Sequence, residues 1–199
     1  IDGAYVFSGG DTAALSTSNM ESAYSGNPTD ASASVEVLFR PADLLDNDVI
    51  WEFGGATDGA SLTLQGDVLQ FIAKDGSANG AIAYDLDAND DGVQDIDEYL
   101  HVVSVTDLDA NRVYLYINGS AVVPGGIGVG GTFDDWAGSD ACGLGNTYGG
   151  DTGGSGGGFG NLSAYGGFEG EIARFAFYDH ALTQEDALYL YTTTVALPE

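Results

Sequence analysis

The sequence predicts an all-β fold, a two-sheet antiparallel jelly-roll sandwich with one short C-terminal helix, over residues 1–199 as a single domain. Short segments rich in β-branched and aromatic residues recur along the chain, and Gly, Asn and Asp turns separate them. Hydrophobic residues make up 44% of the 199 residues, enough to bury a core without a disulfide. No apolar run approaches the roughly 18 residues needed to span a membrane, so membrane insertion is not expected.

Nine segments have the composition of strands, and turn signals bound them. Gly66 lies in a short polar interruption that predicts a hairpin, and the dipeptide Asn118-Gly119 predicts another. Pro41 ends the second segment because it has no N–H to donate to a ladder. The predicted strands are residues 4–7, 34–40, 49–53, 61–64, 68–73, 81–84, 99–106, 112–117 and 171–178.

One helix is predicted near the C-terminus. Thr183 and Asp186 have the spacing of a capping box, and the largely apolar residues 187–191 follow them. The glycine-rich residues 143–167 predict a long loop or a pair of loops instead of regular structure.

Three chemically versatile side chains are expected to be structural. Cys142 is the only cysteine, so no internal disulfide is possible, and it is expected to be a small buried residue. Trp51 and His101 lie in predicted strands and are expected in the core, with His101 hydrogen-bonded.

Five stretches, taken in order, resemble the LamG-like jelly roll of the concanavalin A-like lectin/glucanase superfamily. The resemblance covers nearly the whole chain and implies the fold, but this fold hosts lectins, adhesion modules, accessory domains and glycanases. Tyr99 replaces the tryptophan of the family's central strand, and residues 85–98 and the glycine-rich segment look like insertions. The stretches are residues 4–11 (AYVFSGGD), 34–41 (SVEVLFRP), 99–107 (YLHVVSVTD), 113–119 (VYLYING) and 168–186 (FEGEIARFAFYDHALTQED).

Acidic residues dominate the charge. The chain has 31 Asp and Glu against four basic residues, for a formal net charge of −27. Such a charge repels nucleic acid and anionic lipid, which excludes both as partners. It is tolerated best where salt screens it or divalent cations neutralise it. The basic residues are Arg40, Lys74, Arg112 and Arg174.

The sharpest motif is residues 87–98 (DANDDGVQDIDE), which matches the calcium-loop pattern D-x-[DN]-x-[DN]-G-x5-E. Gly92 permits the sharp turn, and oxygen atoms are the ligands that Ca²⁺ prefers. The flanks have strand composition, so we expect a structural calcium clamp between strands; the alternative is a solvated acidic turn. The predicted ligands are Asp87, Asn89, Asp91, the carbonyl of Val93, Asp95 and Glu98.

A second calcium site is implied by the resemblance alone. Many jelly rolls of this superfamily hold a calcium ion near the opening Gly-Asp turn and the closing strand. The matching candidates here are Asp11 with Glu169 or Glu171. The alternative is that these are surface carboxylates without a metal.

A glycan-binding site is expected in the loops around the glycine-rich segment. Sugar recognition needs flat aromatic faces beside polar hydrogen-bonding groups, and loops at the edge of a rigid sandwich are where binding groups usually lie. The alternative is that these aromatic residues anchor long loops onto the core. The candidates are Trp136, Tyr148, Phe159, Tyr165, Asn146 and Asp151.

No catalytic pattern is found, so the chain is not expected to be an enzyme. A retaining glycanase needs two carboxyl groups about 5–5.5 Å apart, which acids at i, i+2 and i+4 of one strand can supply. The nearest match has acids at Asp95, Asp97 and Glu98 and then Tyr99, so the alternation fails.

The C-terminal residues VALPE resemble the start of a PEP-CTERM sorting signal, which implies an exported bacterial protein. The leading hypothesis is therefore an extracellular or cell-surface, calcium-binding, non-catalytic carbohydrate-binding or adhesion module. Two alternatives stay open: a glycoside hydrolase of the laminarinase-type group, and a structural surface or matrix protein with no small ligand.

Calcium should stabilise the fold through residues 87–98, because the ligands come together only in the native state. A metal at a hundredfold excess over its Kd adds about 2.7 kcal/mol, which corresponds to a rise in Tm of about 5–11 °C for a domain of this size. Thermal melting in chelator and then in millimolar calcium, at fixed ionic strength, measures this rise. Glu98→Gln should lose most of it, and an equal rise in wild type and variant would disprove the calcium loop.

Overall fold

Alternating apolar and polar residues build two antiparallel sheets that pack face to face, which confirms the predicted jelly-roll sandwich with one short helix. The computed structural model describes residues 4–11, 13–16, 31–54, 58–87, 99–134, 142–147, 162 and 165–195. Its elements are β1 (Tyr5–Ser8), β2 (Ala13–Ser16), β3 (Ala33–Pro41), β4 (Asn47–Gly54), β5 (Asp58–Gln65), β6 (Val68–Asp75), β7 (Ala78–Asp85), β8 (Leu100–Asp107), β9 (Arg112–Ile117), β10 (Ser120–Ala121), β11 (Ile127–Gly128), β12 (Cys142–Leu144), β13 (Gly166–Gly167), β14 (Glu169–Tyr178) and α1 (Gln184–Thr194).

Each sheet has seven of these strands. In sheet A the order is β1-β14-β3-β8-β9-β10, with β11 also paired to β9. In sheet B the order is β2-β12-β4-β5-β6-β7, with the two-residue β13 paired in parallel to β4. The pairing of β14 with β1 and β3 places the first and last strands side by side in sheet A.

All nine predicted strands are present, and the two predicted hairpin turns occur. Gly66 and the dipeptide Asn118-Gly119 adopt positive φ angles (63°, 49° and 77°), the conformation that tight hairpin turns require. Five strands were not predicted: β2, β10, β11, β12 and β13. They have only two to four residues each, too few to show a periodic pattern.

The core lies between the inner faces of the two sheets. Leu62 and Leu64 point inward on β5, and Ser61 and Thr63, which alternate with them, point to the outer face of sheet B. Trp51 is 1% exposed, as predicted, and its ring lies 4.9 Å from Phe53 between centroids. Cys142 is also fully buried in this core.

Helix α1 covers the outer face of sheet A. Thr183 caps it, since Asp186 N donates to the Thr183 hydroxyl and Thr183 N donates to the Asp186 carboxylate, which confirms the predicted capping box. Ala187 and Leu182 pack against Val103 and other residues of sheet A to form a second apolar cluster. Across the described residues, no helix has the length and apolarity needed to cross a membrane.

A buried carboxylate organises the sheet surface beneath α1. Glu36 on β3 is fully buried and accepts hydrogen bonds from His101 Nε2 (3.0 Å), Tyr178 Oη (2.6 Å) and Arg174 Nε (2.8 Å). Burial alone would raise the pKa of Glu36, but these three donors and the charge of Arg174 lower it to about 2. His101 is therefore buried and hydrogen-bonded, as predicted, and the whole group joins β3, β8 and β14.

Glu36→Gln should destabilise the fold by about 1.5–3 kcal/mol, because it removes a buried charge that accepts hydrogen bonds from three donors. Chemical unfolding at neutral pH measures this loss, and Asp109→Asn, an exposed turn substitution, should change stability by less than about 0.5 kcal/mol. The folded pKa near 2 lies below the ordinary value of 4.5. The stabilisation from Glu36 is thus complete above pH 4.5 and falls as the pH drops towards 2. An unfolding free energy with the same acid dependence in wild type and Glu36→Gln would contradict this assignment.

Candidate functional site

A polar cavity of about 400 Å³ opens at the rim of the sandwich, where the ends of strands from both sheets meet. We call it the rim pocket. The turn after β1, the start of β4, and the segment from β13 to the start of β14 form its walls. Its lining residues are Ser8, Gly9, Asp46, Asn47, Asp48, Gly166, Gly167 and Glu169.

Backbone hydrogen bonds fix the walls of the rim pocket. Gly9 N donates to Phe168 O (3.2 Å) and Phe168 N donates to Gly145 O (2.7 Å), which ties the β1 turn to the segment that leads into β14. The ring of Phe168 is buried against Phe39 in the core. The pocket is therefore anchored on the rigid sandwich.

Glycine allows the walls to approach each other closely. Gly9 has φ +74°, and a Cβ there would lie 2.6 Å from Glu169 Oε1. A Cβ on Gly167 would lie 2.2 Å from Gly9 O and 2.6 Å from Asn146 Nδ2. Side chains at these positions would fill the pocket or push its walls apart.

Carboxylates give the pocket a negative character. Asp46 and Glu169 are exposed, whereas Asp48 is 7% exposed and accepts a 3.4 Å hydrogen bond from Glu169 N. Burial raises the pKa of Asp48, and the negative charges of Asp46 and Glu169 add to that rise. No Lys, Arg or His is among the described residues that line the pocket, so no positive side chain there opposes this rise.

One predicted site residue lines this pocket, a second lies beside its wall, and a third is the sequence neighbour of a lining residue. Glu169, predicted as a possible metal ligand, lines it. Asn146, predicted as a carbohydrate-binding residue, contacts the pocket wall at Gly167, and Tyr165 directly precedes the lining residue Gly166. Tyr165 is half-buried, and burial raises the pKa of its phenol. The other predicted carbohydrate residues, Trp136, Tyr148, Asp151 and Phe159, lie outside the described residues.

Two residues of the predicted second calcium site, Asp11 and Glu171, have hydrogen-bond partners within the protein, and the site itself stays a prediction. Asp11 accepts hydrogen bonds from the hydroxyl and N–H of Ser8, which hold its pKa below the ordinary value. Glu171 accepts a hydrogen bond from Tyr99 Oη, which lowers its pKa, and pairs with Arg40 at 3.0 Å. Within the described part of the chain, no three His, Cys, Asp or Glu side chains converge as a metal ion would require.

Only one end of the predicted calcium loop falls in the described part of the chain. Asp87 follows β7, and its N–H donates to Asp85 Oδ1 (3.0 Å) in a turn. The segment does connect two strands, β7 and β8, as expected from its flanks. The other predicted ligands, Asn89, Asp91, Val93, Asp95 and Glu98, lie outside the described residues.

Sequence reasoning missed the three lining residues before and at the start of β4. Asp46, Asn47 and Asp48 form a run of oxygen-bearing side chains beside a predicted strand, a signal that could have been noticed. Their proximity to Glu169, more than a hundred positions later, follows only from the tertiary fold.

The described outer face of sheet B carries a buried carboxylate, Glu52, directly opposite Ser61 on β5. Glu52 lies between the core-facing Trp51 and Phe53, so strand alternation points it away from the core. On β5 the residues of that face are Ser61 and Thr63, which are neutral. A carboxyl pair across β4 and β5, as a retaining glycanase would need, is therefore absent at this position.

Comparison with solved structures finds sandwich domains of the same kind. The carbohydrate-binding module CBM40 of the Ruminococcus gnavus IT-sialidase, bound to α2,3-sialyllactose, superposes with a TM-score of 0.66 at 13% identity, over 94% of this chain and 96% of that one. Domains LG4-5 of the mouse laminin α1 chain superpose with a TM-score of 0.65 at 13% identity, over 93% and 44%. These likenesses establish the fold alone.

A third similar structure is botulinum neurotoxin type C, whose cell entry depends on interaction with two ganglioside molecules (TM-score 0.57, 16% identity, 82% of this chain and 36% of that one). This chain spans less than half the length of the laminin and toxin chains. No family profile matches the sequence, and no curated protein matches it significantly.

Two glycine substitutions test the geometry of the rim pocket. Gly167→Ala should destabilise the fold by about 1–3 kcal/mol, because its Cβ would overlap Gly9 O and Asn146 Nδ2. Gly10→Ala is the matched control, since nothing lies within 4 Å of its added Cβ. Denaturant unfolding of both variants measures the difference, and equal midpoints would show that the pocket walls are not packed as described.

Proposed function

We propose that this domain is a non-catalytic glycan-binding module of an exported bacterial surface protein, with the rim pocket as its sugar site and calcium as a stabilising ion. One observation carries the proposal. Glu169, at the start of the closing strand, lines one cavity on a rigid sandwich together with a second polar run, Asp46 to Asp48, and Asn146 Nδ2 lies beside the cavity wall at Gly167.

The chemistry of the pocket suits sugar hydroxyl groups. Carboxylates such as Asp46 and Glu169 accept hydrogen bonds from hydroxyls, and the amides of Asn47 and Asn146 both donate and accept. A cavity of about 400 Å³ has the size of a small-ligand site.

The structural neighbours support a binding role over a catalytic one. The CBM40 module is bound to sialyllactose, and cell entry of the type C toxin depends on interaction with gangliosides, so this fold is found in proteins that bind glycans. The uncharged Ser61 opposite Glu52 on sheet B also favours a non-enzymatic role.

Calcium is proposed to act at residues 87–98, which include Asp87 at the end of the described β7 segment. The donor set is entirely oxygen, which fits a hard cation. When bound, calcium would neutralise a crowded acidic segment between two strands. The seven acidic residues from Asp85 to Glu98 would otherwise repel one another. The acidic composition also suits saline extracellular surroundings.

A glycan array in millimolar calcium tests the proposed function. Wild-type protein should bind a restricted set of glycans. Asn146→Ala and Asp46→Asn should each weaken that binding about five- to tenfold or more, because each removes one or more hydrogen bonds to the sugar. Asp109→Asn is the control: it removes one negative charge, as Asp46→Asn does, but Asp109 lies in an exposed turn outside the pocket. This variant should bind like wild type.

The outcomes separate glycan binding at the rim pocket, glycan binding elsewhere on the domain, and a structural role. Binding that both pocket variants weaken supports the glycan-binding module. Binding that neither variant changes places the sugar elsewhere on the domain. Absence of any glycan binding by folded, calcium-loaded protein would favour a structural surface or matrix role.

A further inference from the structure

The basic side chains of this protein form ion pairs and other contacts within the protein itself. Arg40 pairs with Glu171 at 3.0 Å, and its guanidinium lies over the ring of Tyr99, 5.3 Å from the centroid. Arg174 pairs with the buried Glu36 at 2.8 Å. These two arginines hold adjacent strands of sheet A together and are therefore committed to the fold.

The remaining basic groups are also engaged. Arg112 Nη1 donates to the carbonyls of Gly125 (2.7 Å) and Gly126 (3.1 Å), and Lys74 likewise has an interaction within the protein. Of the two histidines, His101 is buried against Glu36, and His180 lies beside Asp179 in an exposed turn. All four Lys and Arg residues of the chain and both histidines lie in the described segments.

None of these basic side chains lines the rim pocket, whereas three carboxylates do: Asp46, Asp48 and Glu169. Recognition of an anionic sugar relies on charge-assisted hydrogen bonds, above all from arginine. The carboxylates of the rim pocket would repel an acidic glycan and could not form such bonds with it. The pocket offers a neutral sugar many acceptors for its hydroxyl groups.

We infer that the rim pocket selects uncharged sugars and rejects glycans that carry carboxylate or sulfate groups. This inference rests on the proposed glycan-binding function and names its ligand class. The formal net charge of −27 acts in the same direction at long range, because it slows the approach of any polyanion at low salt. Sialyllactose, the ligand of the CBM40 neighbour, carries a carboxylate, so the shared fold would serve opposite ligand classes.

An array of matched glycan pairs tests this selectivity. Each pair shares one neutral oligosaccharide scaffold and differs by a single sialic acid, uronic acid or sulfate group. Binding is measured in millimolar calcium and in chelator, below the melting temperature of the chelated protein. The ionic strength is about 0.01 M and then about 1 M, where the Debye lengths are about 30 Å and 3 Å.

The neutral member of each bound pair should bind at least tenfold more tightly at low ionic strength, and high salt should narrow the ratio. Equal or tighter binding of the acidic member, in either calcium or chelator, would overturn the inference and leave the glycan-binding function intact. Absence of binding to both members would overturn the proposed function and this inference with it.

A pair of double variants separates the charge of the pocket from the charge of the whole protein. Asp46→Asn/Glu169→Gln removes two charges at the rim pocket and should raise the acidic-to-neutral binding ratio several-fold. Asp109→Asn/Asp179→Asn removes two charges from exposed turns and should leave the ratio unchanged. Equal ratios in the two double variants would show that the pocket carboxylates do not set the selectivity.

Discussion

The outer face of sheet A is organised by one buried carboxylate, Glu36. An ionised group without solvent is stable only if its lone pairs are used, and here His101, Tyr178 and Arg174 supply the donors. His101 lies on β8, and the other two lie on β14, so the bonds require β3 to lie between those strands. Helix α1 then covers the group, with Tyr191 against the ring of His101. Strand order at the centre of the sheet and docking of the helix thus depend on the same charge.

The scarcity of positive charge affects both the hydrogen-bond network of Glu36 and the rim pocket. With four basic residues against 31 acidic ones, the fold uses its arginines where a carboxylate or carbonyl would otherwise lack a partner. The carboxylates at the rim pocket receive none of them. Burial and like charges therefore raise the pKa of Asp48. The same shortage explains why calcium is the proposed stabilising partner and why the proposed sugar ligand is uncharged.

The rim pocket shows how a rigid sandwich supports a site made of loops. Its walls are turns and strand ends, yet Phe168, between the two glycines of β13 and Glu169, is buried in the core. Backbone bonds through Phe168 connect the β1 turn to Gly145. Close approach at Gly9 and Gly167 makes the cavity possible without long side chains. Polar side chains can then line the cavity at no cost to core packing.

The sequence by itself determined the class of fold, the nine longer strands, the two hairpin turns and the capped helix, because these depend on period-two alternation and local turn chemistry. It also indicated Asn146, Tyr165 and Glu169 as site residues, although for two different sites. Tertiary structure alone placed Glu169 in one pocket with Asp46, Asn47 and Asp48, and it paired Glu171 with Arg40 and Tyr99. Strands of two or three residues such as β12 and β13 could not be predicted from the sequence either. They pair with β4, which is distant in sequence, and they show no local pattern. Contacts across more than a hundred residues are set by sheet order, and no local periodicity encodes that order.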